Sequence, residues 1–279
     1  MKKFKWVIKI SKCIQANIAG VKLKEKDFED LRFAKSILEN PSLAMRIMNV
    51  LGKPFGKGLM ILPDKWSGHI KKITETVLHA ALSAALVTMS EKEEKKSSEL
   101  LHKVVVAASG GVGGVFGLPA LSIELPISTT IMLRSIADIA RSEGESINDI
   151  ETKLACIEVF ALGGRAPSDD ESEVGYYAIR TALTKAISDA AKYISQKGIV
   201  EKGAPILVRL IAMIASRFGV AVSEKMAASA IPIVGAAGGA MINTIFINHF
   251  QDMARGHFII RRLERVYGKE KIELTYQNI

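Results

Sequence analysis

Cysteine is nearly absent from this sequence. The 279 residues contain two cysteines, Cys13 and Cys156, which lie far apart and form no Cys-x-x-Cys pair. This usage is typical of a reducing compartment, and it excludes both a disulfide framework and a thiolate metal site.

Aromatic residues are also few. They make up 6% of the chain, although 48% of its residues are hydrophobic, so Ala, Val, Ile and Leu must form most of the core. Hairpin turns and stretches that alternate apolar with polar residues are missing too. Apolar residues instead recur at the three- and four-residue spacing of amphipathic helices. The sequence therefore predicts an all-α fold built as a single helical domain.

Acidic residues are missing from Met1–Lys24, which carries seven lysines. The stretch begins like a signal peptide, but Lys9 and Lys12 interrupt its apolar part too early, so secretion is not expected. As a helix, it would place Phe4 and Val7 on one side and most of its lysines around the other. A basic amphipathic helix of this kind can lie on a membrane surface. A solvated start with a few core anchors is the alternative.

The formal net charge of +9 suits an anionic lipid surface or nucleic acid. No zinc-ligand spacing, RNP-like aromatic motif or helix-turn-helix pattern accompanies it, so nucleic acid is not expected as a partner. For the arginines, an acidic partner and internal ion pairs, above all with the acidic loop Pro167–Glu173, are the alternatives to a membrane surface. The residues that would form the basic surface are Lys2, Lys3, Lys5, Lys9, Lys12, Arg255, Arg261, Arg262 and Arg265.

Capping residues and prolines mark the ends of the predicted helices. Ser146–Asp149 has the pattern of a capping box, and Gly144 is suited to end the preceding helix. Pro126 fits the first turn of a helix. The predicted helices are Leu31–Glu39, Ser42–Leu51, Ile70–Ser90, Pro126–Ser142, a helix from the capping box to Leu162, Val174–Gln196, Pro205–Phe218, Val220–Ser229 and Ile242–Tyr267.

These elements divide the chain into a basic amphipathic segment at residues 1–30 and one helical domain at residues 31–279. The charged stretch Glu91–Glu99 would separate two sub-lobes of that domain.

Two long uncharged runs contain many glycines, Val104–Ile123 and Met226–Asn248. The first run fits no nucleotide-binding loop, because Phe116 stands where the third glycine is needed and no Lys-Ser or Lys-Thr pair follows. Each run is long enough to cross a bilayer. Each holds only nine strongly hydrophobic residues, however, so independent insertion would be marginal.

Small residues four apart let two helices approach closely. We therefore predict that the two runs pair as a central hairpin of Gly/Ala-rich apolar helices. This hairpin would be buried in the domain or dipped into one leaflet of a membrane. The glycines that would allow the close packing are Gly110, Gly113, Gly114, Gly117, Gly235 and Gly239.

Few residues have the spacing of a catalytic or metal site. There is no Gly-x-Ser-x-Gly or His-Glu-x-x-His pattern, and no cofactor or metal is expected. His249 and Asp252 share one helical face, with His257 two turns further on. They would form either a weak acid–base or metal pair or, as the alternative, a polar face packed against neighbouring helices.

Glu124 interrupts an apolar run, so its burial would require a partner. Arg134 and Arg209 are the candidates for a buried ion pair with it. Asn243, in the second glycine run, is a candidate for a hydrogen bond between helices.

Several stretches resemble the EcsC protein family, over nearly the whole length from about Leu38 to Gly268. They are LGKPFGKGLMILPDKW, GGVGGVFGLPALSIELP, LRSIADIARSEGES, GYYAIRTAL and, most specifically, IPIVGAAGGAMINTIFINHFQDMARGHFIIRRLERVYG. The chain departs from the expected family pattern at Glu124, where aspartate would be usual, and at Ser142–Gly144, where an aromatic residue would precede the glycine. The resemblance implies a helical bacterial protein, some of whose relatives are encoded beside an ABC transporter. It implies no particular biochemical activity.

The first hypothesis for function is non-enzymatic. The protein would be cytoplasmic, would associate peripherally with the inner face of the membrane, and would interact with a membrane protein, for which the resemblance points to an ABC transporter. The second hypothesis is a hydrolase or metal-dependent enzyme that uses Glu124, His249, Asp252 or His257. A soluble helical scaffold is the third. The sequence indicates no oligomeric state.

Overall fold

The computed structural model describes residues 23–39, 42–51, 65–89, 118–164, 175–197, 203–229 and 235–279. The predictions for Lys2–Lys12, Gly110–Gly117, Glu91–Glu99 and Pro167–Glu173 therefore lie outside the described residues.

The described residues form nine α-helices and no strand, which confirms the all-α prediction. The helices are α1 (Glu25–Glu39), α2 (Leu43–Leu51), α3 (Lys65–Thr88), α4 (Leu118–Ser142), α5 (Ile150–Leu162), α6 (Tyr176–Lys197), α7 (Pro205–Ser229), α8 (Gly235–Tyr267) and α9 (Lys269–Gln277).

Helix α1 begins well before its predicted start at Leu31 and crosses the segment boundary placed at residue 30. Glu25 and Asp27 lie in its first turn, where the partial positive charge of a helix N-terminus stabilises carboxylates. Phe28 and Leu31 are buried on one face. The apolar spacing did not predict this start, because the first turn of the helix is charged.

Helix α4 begins at Leu118, so Pro126 lies inside it and not in the first turn as predicted. An interior proline removes one backbone hydrogen bond, and packing of the surrounding turns offsets this loss: Leu125 and Ser128 are fully buried. The helix ends as predicted, because Gly144 has a φ of 79°, the left-handed conformation that favours glycine.

The predicted capping box at Ser146 is wrong. Asp149 is the N-cap of α5, which starts at Ile150. The Asp149 N–H donates to the Ser146 carbonyl at 3.2 Å, and Ile147 between them is fully buried. With Ile147 buried, residues 146–149 form a turn and not the first turn of α5.

Helix α7 is continuous from Pro205 to Ser229, so the predicted break near Gly219 is also wrong. A Cβ at Gly219 would lie 3.9 Å from side-chain atoms of Ile70 and Thr74 in α3. Phe218 and Val222 are fully buried around it. Packing against α3 therefore holds the helix together through the glycine.

Helix α8 forms the centre of the fold. Its 33 residues span about 50 Å at the usual helical rise. It packs against α1, α2, α4, α5, α7 and α9. The Phe250 ring lies 5.5 Å from that of Phe160 in α5 and 5.4 Å from that of Phe218 in α7. The short helix α9, which the sequence analysis did not predict, buries Ile272 and Tyr276.

The glycine-containing run Met226–Asn248 is divided between two helices, because α7 ends at Ser229 and α8 begins at Gly235. No single helix covers it. Most of the run Val104–Ile123 lies outside the described residues, so the pairing of the two runs stays a prediction.

Within the described residues, α7 is long and apolar enough to cross a membrane, with a mean hydropathy of 1.8 over its most apolar window. Of that window, 44% is buried inside the protein. Core helices of soluble proteins pass the same test, so composition alone does not identify a membrane span.

Candidate functional site

Polar side chains follow one another along α8, and together they contact several other parts of the protein. We call them the α8 polar row. Buried polar groups require partners in the surrounding helices, so this row shows what the polar residues of the chain do. Its members are Asn243, His249, Gln251, Asp252, His257, Arg261, Arg262, Glu264 and Arg265.

Glu124 forms a buried ion pair with Lys225. The Lys225 Nζ donates to both carboxylate oxygens, at 2.9 and 2.8 Å, and the Asn243 amide donates to one of them at 3.2 Å. Lys225 is 3% exposed and Glu124 is 8% exposed. Burial lowers the pKa of the Lys225 ammonium, and the Glu124 carboxylate opposes this effect. The three residues join α4, α7 and α8.

The partners suggested from the sequence, Arg134 and Arg209, do not occupy this position. Both side chains are exposed. Arginine is the usual choice for a buried carboxylate, but a lysine on the last turns of α7 takes this role here.

His249 binds the end of α5. Its Nε2 lies 2.7 Å from the Gly163 carbonyl oxygen, so the proton of the neutral ring sits on Nε2. Burial lowers the pKa of His249 to about 4. The Arg217 side chain donates to the Gly164 carbonyl at 3.3 Å. A Cβ at Gly163 would overlap the Phe250 ring of α8, and one at Gly164 the Arg217 carbonyl of α7, so the two glycines let the α5 terminus fit between these helices.

Gly164→Ala is expected to lower the free energy of unfolding by about 1–3 kcal/mol, because the new Cβ would overlap a backbone atom that cannot rotate away. That atom is the carbonyl oxygen of Arg217. Chemical denaturation measures the loss. Gly68→Ala is the control: its Cβ would meet nothing within 4 Å, and it should stabilise α3 by about 0.5–1 kcal/mol. Similar effects of the two substitutions would contradict the packing argument.

Asp252 accepts a hydrogen bond from Arg46 of α2 at 2.6 Å and one from Arg255 at 3.1 Å. Its carboxylate is therefore paired with two guanidinium groups. His249 lies on the same face of α8 as Asp252, but it binds the Gly163 carbonyl at the end of α5, whereas Asp252 binds Arg46 of α2.

His257 is fully buried and lies between α5 and α6. Its Nδ1 is 2.9 Å from the Tyr176 hydroxyl, and its Nε2 is 3.8 Å from the Glu158 carboxylate. Burial raises the pKa of Glu158 to about 7 and lowers that of His257 well below its usual range. Both groups are therefore neutral in mildly acidic solution, and the contact is not an ion pair.

Arg180 lies beside this group and is bound by Glu264. Two of its nitrogens donate to the Glu264 carboxylate, at 2.7 and 3.0 Å, and the Tyr177 hydroxyl donates to the same group at 3.1 Å. The Arg180 guanidinium also lies 5.2 Å from the centre of the Tyr176 ring. Helix α6 is thereby attached to the last turns of α8.

The arginines expected to form a basic surface are used in internal ion pairs. Arg261 binds Glu145 at 2.9 and 3.2 Å, and Arg265 binds the same carboxylate. Arg262 binds Glu143 and Asp30, each at 2.7 Å. The acids come from α1 and from the α4–α5 turn. Of the alternatives left by the sequence, internal pairing is the one seen in these residues.

The candidate catalytic residues do not converge. Glu124, His249, Asp252 and His257 each bind a different partner, as described above. Within the ranges that the structure describes, no group of three His, Cys, Asp or Glu side chains is placed to hold a metal ion. Burial also raises the pKa of the Cys156 thiol, which keeps it unreactive.

Several residues of these contacts were not found from the sequence, namely Lys225, Glu158, Tyr176, Arg180 and Glu264. A signal existed for two of them. Glu158 stands alone in the apolar stretch CIEVFAL, and Lys225 precedes the long uncharged run. Lone charges in apolar helices require buried partners, and this holds for Glu158 and Lys225 as it does for Glu124.

In the part of the chain that the structure describes, these features define an all-helical body organised around the long helix α8, whose arginines Arg261, Arg262 and Arg265 are paired with acids of the same body. The chain belongs to the EcsC protein family, whose model matches residues 25–263. No curated protein and no solved structure matches the chain. The family match covers α1 to most of α8 and leaves out the lysine-containing residues before Glu25.

Proposed function

We propose that the protein is a non-enzymatic member of its family that attaches peripherally to the cytoplasmic face of the membrane. Residues 1–24 would bind the anionic lipid surface, and the helical body would contact a membrane protein. The charge distribution is the observation on which this proposal rests.

The excess positive charge is concentrated at one end of the chain. The formal net charge is +9, of which Met1–Lys24 contributes +7, so the other 255 residues carry only +2. The pairing of Arg261, Arg262 and Arg265 with internal acids further reduces what the body could offer to lipid headgroups. The basic N-terminal segment is therefore the part suited to an anionic surface.

The use of the polar residues supports a non-enzymatic role. The candidate acids and histidines join helices to one another through hydrogen bonds and ion pairs. His249 and His257 are buried, at 2% and 0% exposure. A substrate would have to displace core packing to reach them.

The proposed membrane-protein partner rests on the family resemblance, which points to an ABC transporter. An apolar contact surface is available on α7. Ile206 and Val208 are 39% and 43% exposed at its start, and less than half of its most apolar window is buried.

Flotation with liposomes tests the attachment. The intact protein should float with phosphatidylserine vesicles at about 0.1 M salt and be released at about 1 M, where the Debye length falls from about 10 Å to about 3 Å. Phosphatidylcholine vesicles should not bind it. Changing Lys2, Lys3, Lys5, Lys9 and Lys12 to glutamine should abolish flotation.

The matched control removes five exposed lysines of the helical body, namely Lys71, Lys72, Lys185, Lys192 and Lys197. This variant should still float. Equal loss in both variants would show that overall charge, and not the N-terminal segment, is responsible. Flotation that resists high salt would contradict peripheral attachment and favour insertion of an apolar helix.

A further inference from the structure

A buried acid and a buried histidine face each other where α5, α6 and α8 meet. Glu158 is 5% exposed and His257 is fully buried. The Nε2 of His257 has no hydrogen-bond partner, and the Glu158 carboxylate is 3.8 Å away. A hydrogen bond would need that gap to close to about 3 Å.

The neighbouring cations are already engaged. Arg180 of α6 is bound to Glu264 through two hydrogen bonds, and Arg261 of α8 is bound to Glu145. Ionised Glu158 would therefore lack a direct cationic partner among the described residues, and an unpaired buried carboxylate is unfavourable. The titratable and charged groups around the pair are Tyr176, Tyr177 and Arg180 of α6, Arg261 and Glu264 of α8, and Lys269 and Tyr276 of α9.

We propose that Glu158, His257 and Tyr176 form a one-proton switch, in which loss of one proton to solvent changes which ring nitrogen of His257 carries hydrogen. The switch would set the hydrogen bonding at the junction of the three helices.

The two states differ by one proton. In the protonated state, the Glu158 carboxyl O–H donates to Nε2, and the Nδ1–H donates to the Tyr176 oxygen. In the deprotonated state, the Nε2–H donates to the Glu158 carboxylate, and Nδ1 accepts from the Tyr176 hydroxyl. The ring stays neutral in both, and the net change is one proton released to solvent.

Burial, by raising the pKa of Glu158 to about 7, places the change within the pH range of cells. The Tyr176 hydroxyl changes from acceptor to donor, so proton loss on α5 alters a bond that holds α6 to α8. The Tyr176 ring packs 5.1 Å from the Tyr177 ring, and Tyr177 in turn binds Glu264.

Nuclear magnetic resonance of the intact protein with ¹⁵N-labelled histidine rings tests this directly, because the ring nitrogen shifts distinguish the two tautomers. His257 should carry hydrogen on Nδ1 at low pH and on Nε2 at high pH, with a midpoint near 7. A His257 tautomer that does not change across this range would overturn the proposal, and this measurement needs no variant.

The variant Glu158→Gln tests whether Glu158 is the group that loses the proton. Its amide can donate to Nε2 without titrating, so His257 should keep the Nδ1–H form at every pH. Glu151→Gln, an exposed glutamate of the same helix, is the matched control and should leave the transition in place. A transition that persists in Glu158→Gln would assign the proton to another group and refute the switch.

Discussion

Lys225→Met is expected to lower the free energy of unfolding by about 3–5 kcal/mol, the usual effect of removing one partner of a buried ion pair. The substitution keeps most of the volume of the side chain, so the loss comes from Glu124. Among the described residues, that carboxylate would retain the hydrogen bond from the Asn243 amide, in a position that is 8% exposed. Denaturation midpoints of the variant and the parent protein measure the difference.

The double variant Glu124→Gln/Lys225→Met separates charge from packing. Glutamine removes the unpaired charge and still offers a carbonyl oxygen to Asn243, so most of the lost stability should return. Lys192→Met, an exposed lysine of α6, should change stability by less than about 0.5 kcal/mol. If the double variant is as unstable as Lys225→Met, loss of lysine packing and not the buried charge is responsible.

Glu158 is expected to make the free energy of unfolding depend strongly on pH. Its pKa is about 7 in the folded protein, against an ordinary value of 4.5. At pH values below 4.5 the group is protonated in both the folded and the unfolded chain, so it has no effect. As pH rises from 4.5 to 7, Glu158 loses its proton in the unfolded chain but keeps it in the folded protein. The free energy of unfolding therefore falls over this range. Above pH 7 this decrease in the free energy of unfolding reaches its full size of about 3 kcal/mol.

Glu158→Gln should remove this loss, so the variant should be more stable than the parent protein at pH 8 by about 3 kcal/mol. The difference between the two stability curves is the quantity to measure, because buried His249 and His257 impose the opposite trend. Their lowered pKa values mean that stability falls as pH drops below 6.5. Parallel curves for the two proteins would contradict the burial argument.

The sequence was sufficient to predict the fold class and most of the helices. Their apolar spacing and the terminating Gly144 follow from local rules. The errors lie where tertiary packing overrides those rules. Residues 146–149 form a turn around buried Ile147 and not the predicted capping box. Packing against α3 keeps α7 helical at Gly219, where a break was predicted.

The polar contacts were harder to predict because they join residues far apart in the chain. Glu124 was recognised as a charge in need of a partner, but spacing cannot show that Lys225 is closer in space than Arg134. The Arg255–Arg265 cluster presented a similar problem. Its charge is visible in the sequence, whereas the acids that bind it lie on α1, on α8 itself and on the α4–α5 turn.

The central position of α8 determines the order in which the protein can fold during synthesis. Helix α1 binds it through Asp30 and Arg262, which are 232 residues apart. At about 5–20 residues per second, α1 must wait roughly 10–50 seconds for its partner to leave the ribosome. Residues 1–24 precede α1 in the chain, so their lysines leave the ribosome before α1 does. If residues 1–24 bind a membrane surface as proposed, attachment would precede folding, and the helical body would assemble at that surface.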